Sequence, residues 1–230
     1  MIHELFLFEW AVDQNGYKIV RWQQEGPGIA PFDVDDIRRN GGPMRFYRPL
    51  DEPGLWRQFA ETCSSSAGVL EFVNEFGLLT DDARARAWKG EEVQTQRRIS
   101  SSNQPLENIL RFAAFIRHLA GLIDAGDREN ASNLLNRFPP EMQKLQQFND
   151  RKARYEPVLV PLTLKDALLH QTGEEIGGKR QWRRCRNTGC PKWFPLGQSG
   201  HTIRREFCSD RCRVASARRD RLEEDRKDAQ

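Results

Sequence analysis

Four of the chain's five cysteines stand close together as Cys185, Cys190, Cys208 and Cys212, in the pattern C-x4-C, seventeen intervening residues, C-x3-C. In a reducing compartment, two close pairs separated by enough chain for a hairpin read as a metal site more readily than as two disulfides. Four thiolates around one tetrahedral ion imply one zinc per chain, and a shell with no vacant position implies a structural role. That choice limits what the C-terminal quarter can fold into, because a segment of this size buries too little to hold itself together without such a staple.

The local sequence fits the requirement. Asn187-Thr188-Gly189 lies inside the first pair, where the chain must turn sharply for both sulfurs to face one ion. Trp193 to Leu196 and Thr202 to Phe207 are expected to pair as strands across Gly197-Gln198-Ser199-Gly200. Ser209 is a good N-cap and Asp210 suits a first helical turn, which puts Cys208 and Cys212 one turn apart. Knuckle, hairpin and a helix with ligands at its start describe a treble-clef zinc finger. His201 is an alternative ligand, but it stands in the expected loop and the four cysteines already complete a shell. Trp193, Phe194 and Phe207 are expected to pack the small module, with base stacking as the competing use.

Charge divides unevenly along the chain. Residues 178–230 hold 15 Lys or Arg against 7 Asp or Glu, a net of +8, whereas the preceding residues hold 21 against 26, a net of −5. A basic tail on an acidic body makes nucleic acid a candidate partner, against the plainer reading of a solvated face. The excess is nearly all arginine, which suits bidentate phosphate recognition. On a helix starting near Ser209, the positions Cys208, Cys212, Ala215, Arg219 and Leu222 fall on the metal side, and Arg213, Ala217 and Arg221 point away. Arg204, Arg205, Arg213, Arg218 and Arg221 are therefore the candidate nucleic-acid contacts, and Arg213 is the first candidate for a base edge.

The rest of the chain reads as α+β: a mostly helical N-terminal domain with an N-terminal β-hairpin, followed by the small finger. A length of 230 residues and a hydrophobic fraction of 38% suit one ordinary domain plus a module. The expected division is residues 1–176 and 177–230, with Gly177-Gly178 as the hinge. Leu5 to Val12 and Tyr17 to Trp22 are strand-like around Asn15-Gly16, which predicts a hairpin. Gly26 to Pro53 is rich in Gly and Pro and reads as loops. Short helices are expected over Leu55 to Cys63, Ala67 to Phe76 and Asp81 to Val93. A long helix follows Ser102-Asn103-Gln104-Pro105, with Leu106, Ile109, Leu110, Ala113, Ile116, Ala120 and Ile123 on one stripe and Gly126 as its stop. Asp127 to Phe138 repeats that pattern, Val158 to Val160 reads as a short strand, and Thr163 opens a helix to about Glu175.

No apolar stretch is long enough to span a bilayer; the greasiest, Ile109 to Ile123, is broken by Arg111, Arg117 and His118. The start, Met1-Ile2-His3-Glu4, lacks the basic segment of an export signal, so the expected location is the cytoplasm.

At Arg184-Cys185, Cys190, Phe194, Phe207-Cys208-Ser209, Cys212 and the run Ala217 to Arg219, the module resembles the bacterial CGNR-type zinc fingers found at the C-terminus of transcriptional regulators. The resemblance implies zinc binding by Cys185, Cys190, Cys208 and Cys212 and contact with DNA. The family's Gly-Asn-Arg after the last cysteine is replaced here by Arg213-Val214-Ala215, and the second cysteine pair is one residue closer.

Three function classes follow. The leading one is a zinc-dependent nucleic-acid-binding protein, a bacterial DNA-binding transcriptional regulator whose N-terminal domain also meets a protein partner. The second is a protein-interaction module with a purely structural zinc finger. The third, an enzyme such as a treble-clef nuclease, is set aside: the finger has only His201 for a base, and no spacing brings an acid or histidine to Cys63. His118 and His170 read as ordinary helix residues, and Asp33, Asp35 and Asp36 as a turn or cap rather than a cation site.

Overall fold

A computed structural model describes residues 7–26, 29–80, 83–86, 92–93, 103–149, 153–196 and 204–228. The fold is α+β, with helices packed against several small antiparallel sheets. Its strands are β1 (Leu7–Asp13), β2 (Tyr17–Gly26), β3 (Ile29–Arg39), β4 (Met44–Tyr47), β5 (Ala83–Arg86), β6 (Glu92–Val93), β7 (Asn103–Pro105), β8 (Met142–Asn149), β9 (Arg154–Pro161), β10 (Gln181–Arg184) and β11 (Trp193–Leu196). Its helices are α1 (Leu55–Thr62), α2 (Ser66–Phe76), α3 (Leu106–Asp124), α4 (Arg128–Leu135), α5 (Leu164–Ile176) and α6 (Asp210–Asp228). Among the described residues no helix is long and apolar enough to cross a membrane.

Helical periodicity builds the core. On α3 the buried side chains are Leu106, Ile109, Ala113, Ile116, Leu119 and Ile123, a stripe at steps of three and four that faces α1, α2 and α4. The ring of Phe59 on α1 meets Phe72 on α2 edge-on at 4.9 Å and Phe112 on α3 at 5.4 Å, so one aromatic cluster joins three helices. Caps set the ends. Ser65 accepts from the N–H of Gly68 at the start of α2, Asp127 from Asn130 at α4, and Thr163 from Asp166 at α5. The Asp166 carboxylate accepts in turn from the Thr163 hydroxyl and from the Glu141 N–H, which ties α5 to the start of the β8–β9 ribbon.

The strands depart from expectation most. The Asn15-Gly16 turn is present, with Gly16 at φ +74° and its N–H bonded to the Asp13 carbonyl, but β1 and β2 do not pair. Instead β1 lies between β4 and β5, and β2 pairs with β3 in a second sheet of order β2-β3-β7. The expected N-terminal hairpin is thus a corner between two sheets. The cause lies at Asp13. Its buried carboxylate accepts the N–H groups of Asn15 at 2.9 Å, Gly41 at 2.8 Å and Gly42 at 2.9 Å, with Arg39 Nε at 3.4 Å, so the first turn is bonded to the turn at 40–42. β1 carries buried Phe8, Trp10, Ala11 and Val12 and occupies a central position that needs partners on both edges.

Two other expectations are corrected. Gly26 to Pro53, read as loops, contains the eleven-residue β3 and the four-residue β4; Pro31 falls where the β2–β3 register slips between Gln24 and Gly26, a position that tolerates a residue without an N–H. Asp81 to Val93, read as a helix, holds strands β5 and β6 where it is described, and β5 pairs along β1. Pairing to a buried strand there overrides helical propensity.

Burial pushes the Asp13 carboxyl up, yet the backbone donors at Asn15, Gly41 and Gly42 and the Arg39 side chain outweigh it and hold it below the ordinary aspartate value. Replacing Asp13 with Ala leaves several partly buried donors without an acceptor and is expected to cost about 2–4 kcal/mol in urea unfolding. Because the folded value is the lower one, Asp13's contribution is complete above the ordinary value of about 3.9 and is lost as pH falls through the folded value. The variant's deficit should shrink in acid accordingly; a deficit unchanged between pH 7 and pH 3 would contradict the assignment.

Candidate metal centre and basic helix

The C-terminal module begins with β10 and β11, paired from Gln181↔Leu196 to Arg184↔Trp193, so that Cys185 to Cys190 falls in the connection between them. The Cys185 N–H bonds to the Lys192 carbonyl at 2.9 Å and the Cys190 N–H to the Asn187 carbonyl at 2.8 Å. These bonds curl the connection into a knuckle with both sulfurs on its inner side. This pairing corrects the expected one. Trp193–Leu196 uses Gln181–Arg184 as its partner rather than Thr202 to Phe207; of the latter segment, 204–207 forms a turn and the start lies outside the described residues.

Hydrogen bonds from arginines fasten that turn to the knuckle. The Arg186 N–H donates to the Glu206 carbonyl at 2.9 Å and Arg183 Nη1 to the Arg205 carbonyl at 3.1 Å. Arg205 reaches the other way. Its Nε donates to the Phe207 carbonyl at 2.7 Å, its Nη2 to the Cys208 carbonyl, and its guanidinium lies 5.3 Å from the Phe194 ring centre. The Ser209 hydroxyl then accepts the Cys212 N–H at 3.3 Å, the expected cap at the start of α6.

The four sulfurs lie within 4.8 Å of one another, with Cys190 and Cys208 at 3.7 Å and Cys208 and Cys212 at 3.5 Å. Four metal–sulfur bonds of about 2.3 Å at tetrahedral angles separate sulfurs by about 3.8 Å, so the cluster has the size of a coordination shell. All five cysteines are free thiols. Burial, together with the neighbouring thiols, pushes Cys208 up to about 12, and burial also raises Cys190; the Ser209 hydroxyl and the neighbouring Cys208 pull Cys212 down to about 6. Crowded thiols resist sharing negative charge, and a cation among them removes that penalty. Cys185, Cys190, Cys208 and Cys212 are therefore able to hold a metal ion.

The candidate arginines divide by what they touch. Arg205 is committed to Phe207, Cys208 and Phe194. Arg213 pairs with Asp210 at 3.2 Å in the first turn of α6 and, with Arg204, lines a groove of about 500 Å³ beside Phe207. Arg204, Arg218 and Arg221 have no acidic partner among the described residues, and the same holds for Arg211, which the sequence reading passed over. Its signal was the step of seven from Arg211 to Arg218, which places both on one helix face. Among the described side chains of α6, Ser216 alone is buried, and Cys212 and Arg219 are half-buried; Ala215 and Leu222, expected on the metal side, are exposed. The helix thus docks along one narrow line and leaves the rest of its surface to solvent.

The remaining candidates fall apart in space. His201 lies outside the described residues. His118 is exposed, and His170 has only Glu174 at 4.0 Å, with burial lowering its pKa. Cys63 is fully buried and its thiol is pushed far up by burial. Asp33, Asp35 and Asp36 lie along β3 rather than in a turn; Asp35 is bridged by Arg21 at 2.8 Å and Asp36 accepts from Trp22 Nε1 at 2.7 Å.

The junction with the body was not legible beforehand. Arg57 on α1, 6% exposed, pairs with Glu175 on α5 at 2.7 Å and Asp124 at the end of α3 at 2.6 Å, and its guanidinium sits 4.5 Å from the ring centre of Trp56 and 5.3 Å from that of Trp193 on β11. Arg57→Ala should cost about 3–5 kcal/mol in urea unfolding, since it strands the Glu175 carboxylate. Arg57→Met with Glu175→Leu should recover most of that loss, and failure to do so would mean that the stacking on Trp56 and Trp193, rather than the buried charge, dominates.

Comparison of the chain with protein-family models, with curated proteins and with solved structures finds no match. What stands on geometry is a four-thiol centre able to hold a metal ion, from which an arginine-rich helix extends.

Proposed function

We propose that the chain is a zinc-dependent nucleic-acid-binding protein, a DNA-binding transcriptional regulator that contacts its target through α6 and the turn before it. The observation that carries the reading is a set of arginines that meet no acidic partner among the described residues, Arg204 in the turn before α6 and Arg211, Arg218 and Arg221 on the helix, whose root is the four-thiol centre. Guanidinium groups presented to solvent on a rigid frame suit phosphates bidentately. Four soft thiolates with no vacant position select zinc in a structural role. The likeness to CGNR-type fingers points the same way.

Zinc binding is expected to supply much of the module's folding free energy. Metal analysis should find one zinc per chain, and Cys208→Ala should lose it together with the order of the module, read as faster proteolysis of residues 177–230. Protein purified without chelator that holds no metal, or holds it equally well after Cys208→Ala, would overturn the assignment.

On duplex DNA, three to five phosphate contacts predict a slope of log affinity against log salt of about −3 to −4.5. Replacing Arg211, Arg218 and Arg221 together with Ala should make that slope shallower by about 2.7 and weaken all sequences alike. A second reading has one observation in its favour: Val214 and Leu222 are 61% and 56% exposed beside these arginines, as a protein-docking helix would present them. Affinity for mixed-sequence DNA that is unchanged by the triple replacement would favour that reading.

A further inference from the structure

Among the described residues, the sheet β2-β3-β7 has no strand paired along the outer edge of β2. Its polarity follows from two bonds at its base: the Asn40 N–H donates to the Gly16 carbonyl, and the Tyr17 N–H points the other way, to Asn74 Oδ1 at 2.6 Å. Since successive residues alternate sides, Lys18, Val20, Trp22 and Gln24 bond to β3, while Ile19, Arg21 and Gln23 direct their N–H and C=O groups outward. Beyond Asn74, no strand of the described residues lies beside them.

Natural sheets usually blunt such an edge with proline, a bulge or a charge aimed at it. β2 has no proline, the register slip against β3 is confined to its far end between Gln24 and Gly26, and its central charge, Arg21, is tied to Asp35 through two bonds at 2.8 and 3.1 Å. Residues 21–25 are all exposed. One face of the ribbon also carries exposed apolar rings: Trp22 stands opposite Val34 and, one step further, Gln24 opposite Phe32, with Trp22 37% and Phe32 48% exposed. The indole N–H is already bonded to Asp36, so what Trp22 offers outward is ring surface.

We propose that β2 is a dimerisation strand, across whose edge a second copy of the chain lays its own β2 in antiparallel register centred on Trp22. A two-fold axis normal to the sheet keeps each residue on its own face, so only residues of the same parity meet. Centred on Trp22, the pairing sets the two Trp22 rings side by side, Arg21 opposite Gln23 of the second copy, Val20 opposite Gln24 and Ile19 opposite Glu25. No like charges meet. Shifting the centre to Arg21 would oppose two guanidinium groups, which disfavours that one of the two adjacent registers; shifting it to Gln23 would set Trp22 against Gln24 and lose the contact between the two indoles. The product is one six-stranded sheet with Val20, Trp22, Phe32 and Val34 of both copies forming a continuous apolar strip. A contact of one strand pair is at the small end of specific interfaces, so the dimer is expected to be weak and concentration-dependent.

Sedimentation velocity of the zinc-loaded full chain over a wide concentration range tests this. The wild-type chain should pass from monomer to dimer. Gln23→Pro removes an outward N–H and leaves the ladder to β3 intact, so it should stay monomeric while its circular dichroism and melting match the wild type. A wild-type chain that is monomeric throughout, or a dimer indifferent to Gln23→Pro, overturns the proposal. If Gln23→Pro does not fold, cross-linking decides. Facing residues at the axis form a pair without ladder bonds, with Cα atoms about 4.5 Å apart, within disulfide reach. Under mild oxidation Trp22→Cys should give a covalent dimer on a non-reducing gel well above the wild-type background, and Gln24→Cys should not. Equal cross-linking of the two, or none from Trp22→Cys, overturns it.

Discussion

The placement of the metal module depends on one buried guanidinium. Arg57 gathers α1, the end of α3 and α5 through Asp124 and Glu175, and its flat face stacks towards Trp193, so the same side chain that closes the helical core also seats the hairpin bearing two of the thiols. Burial lifts the Glu175 carboxyl above its ordinary value even beside Arg57, a sign that desolvation is a large term at this junction. An apolar contact of the same volume would hold the parts together. It would not fix the angle between them, because only a charge with two directional partners and a planar stack defines an orientation. Gly54, at φ +66°, brings the chain so near Trp193 that a Cβ there would lie 2.7 Å from it, which makes the approach of α1 to β11 closer still.

Helices were legible in the sequence because their information is local. The stripe from Leu106 to Ile123, the cap Thr163, the stop at Gly126 and the apolar run from Ala67 to Phe76 place α2, α3 and α5 within a residue or two of their bounds. Strands were legible only where alternation was strong, and their partners were not legible at all. Tyr17 to Trp22 reads as a strand, but that it joins β3 rather than β1 depends on Asp13 reaching Gly41 and Gly42, a contact across 28 and 29 positions. β3 hid behind Pro31 and its flanking glycines. β8, Met142–Asn149, has three glutamines and no β-branched residue, and becomes a strand only because β9 lies along it.

The four-thiol centre was the clearest part of the sequence and also the part whose wiring was most incompletely read. Cysteine spacing identified the four thiols. It did not reveal that the first pair sits in the connection of β10 and β11, nor that Arg183, Arg186 and Arg205 bind the second half of the module to the first. Arginine in such a segment invites one interpretation, charge for a polyanion. Arg205, whose bonds run to the Phe207 and Cys208 carbonyls, fills a local structural role, and the exposed Arg211 is the better counterpart of Arg218.

A nineteen-residue helix is about 28 Å long, and α6 is anchored at its first turn and along Cys212, Ser216 and Arg219. Mechanically it is a cantilever. A tilt of ten degrees at the root sweeps the far end through about 5 Å, comparable to the rise of one helical turn. The stiffness of the thiol centre therefore governs more than whether the module folds: it sets the aiming error of every side chain beyond Arg218. A centre that stays folded but loosens by one ligand would keep all of the helix's charges and lose their register with any surface that presents phosphates at fixed intervals.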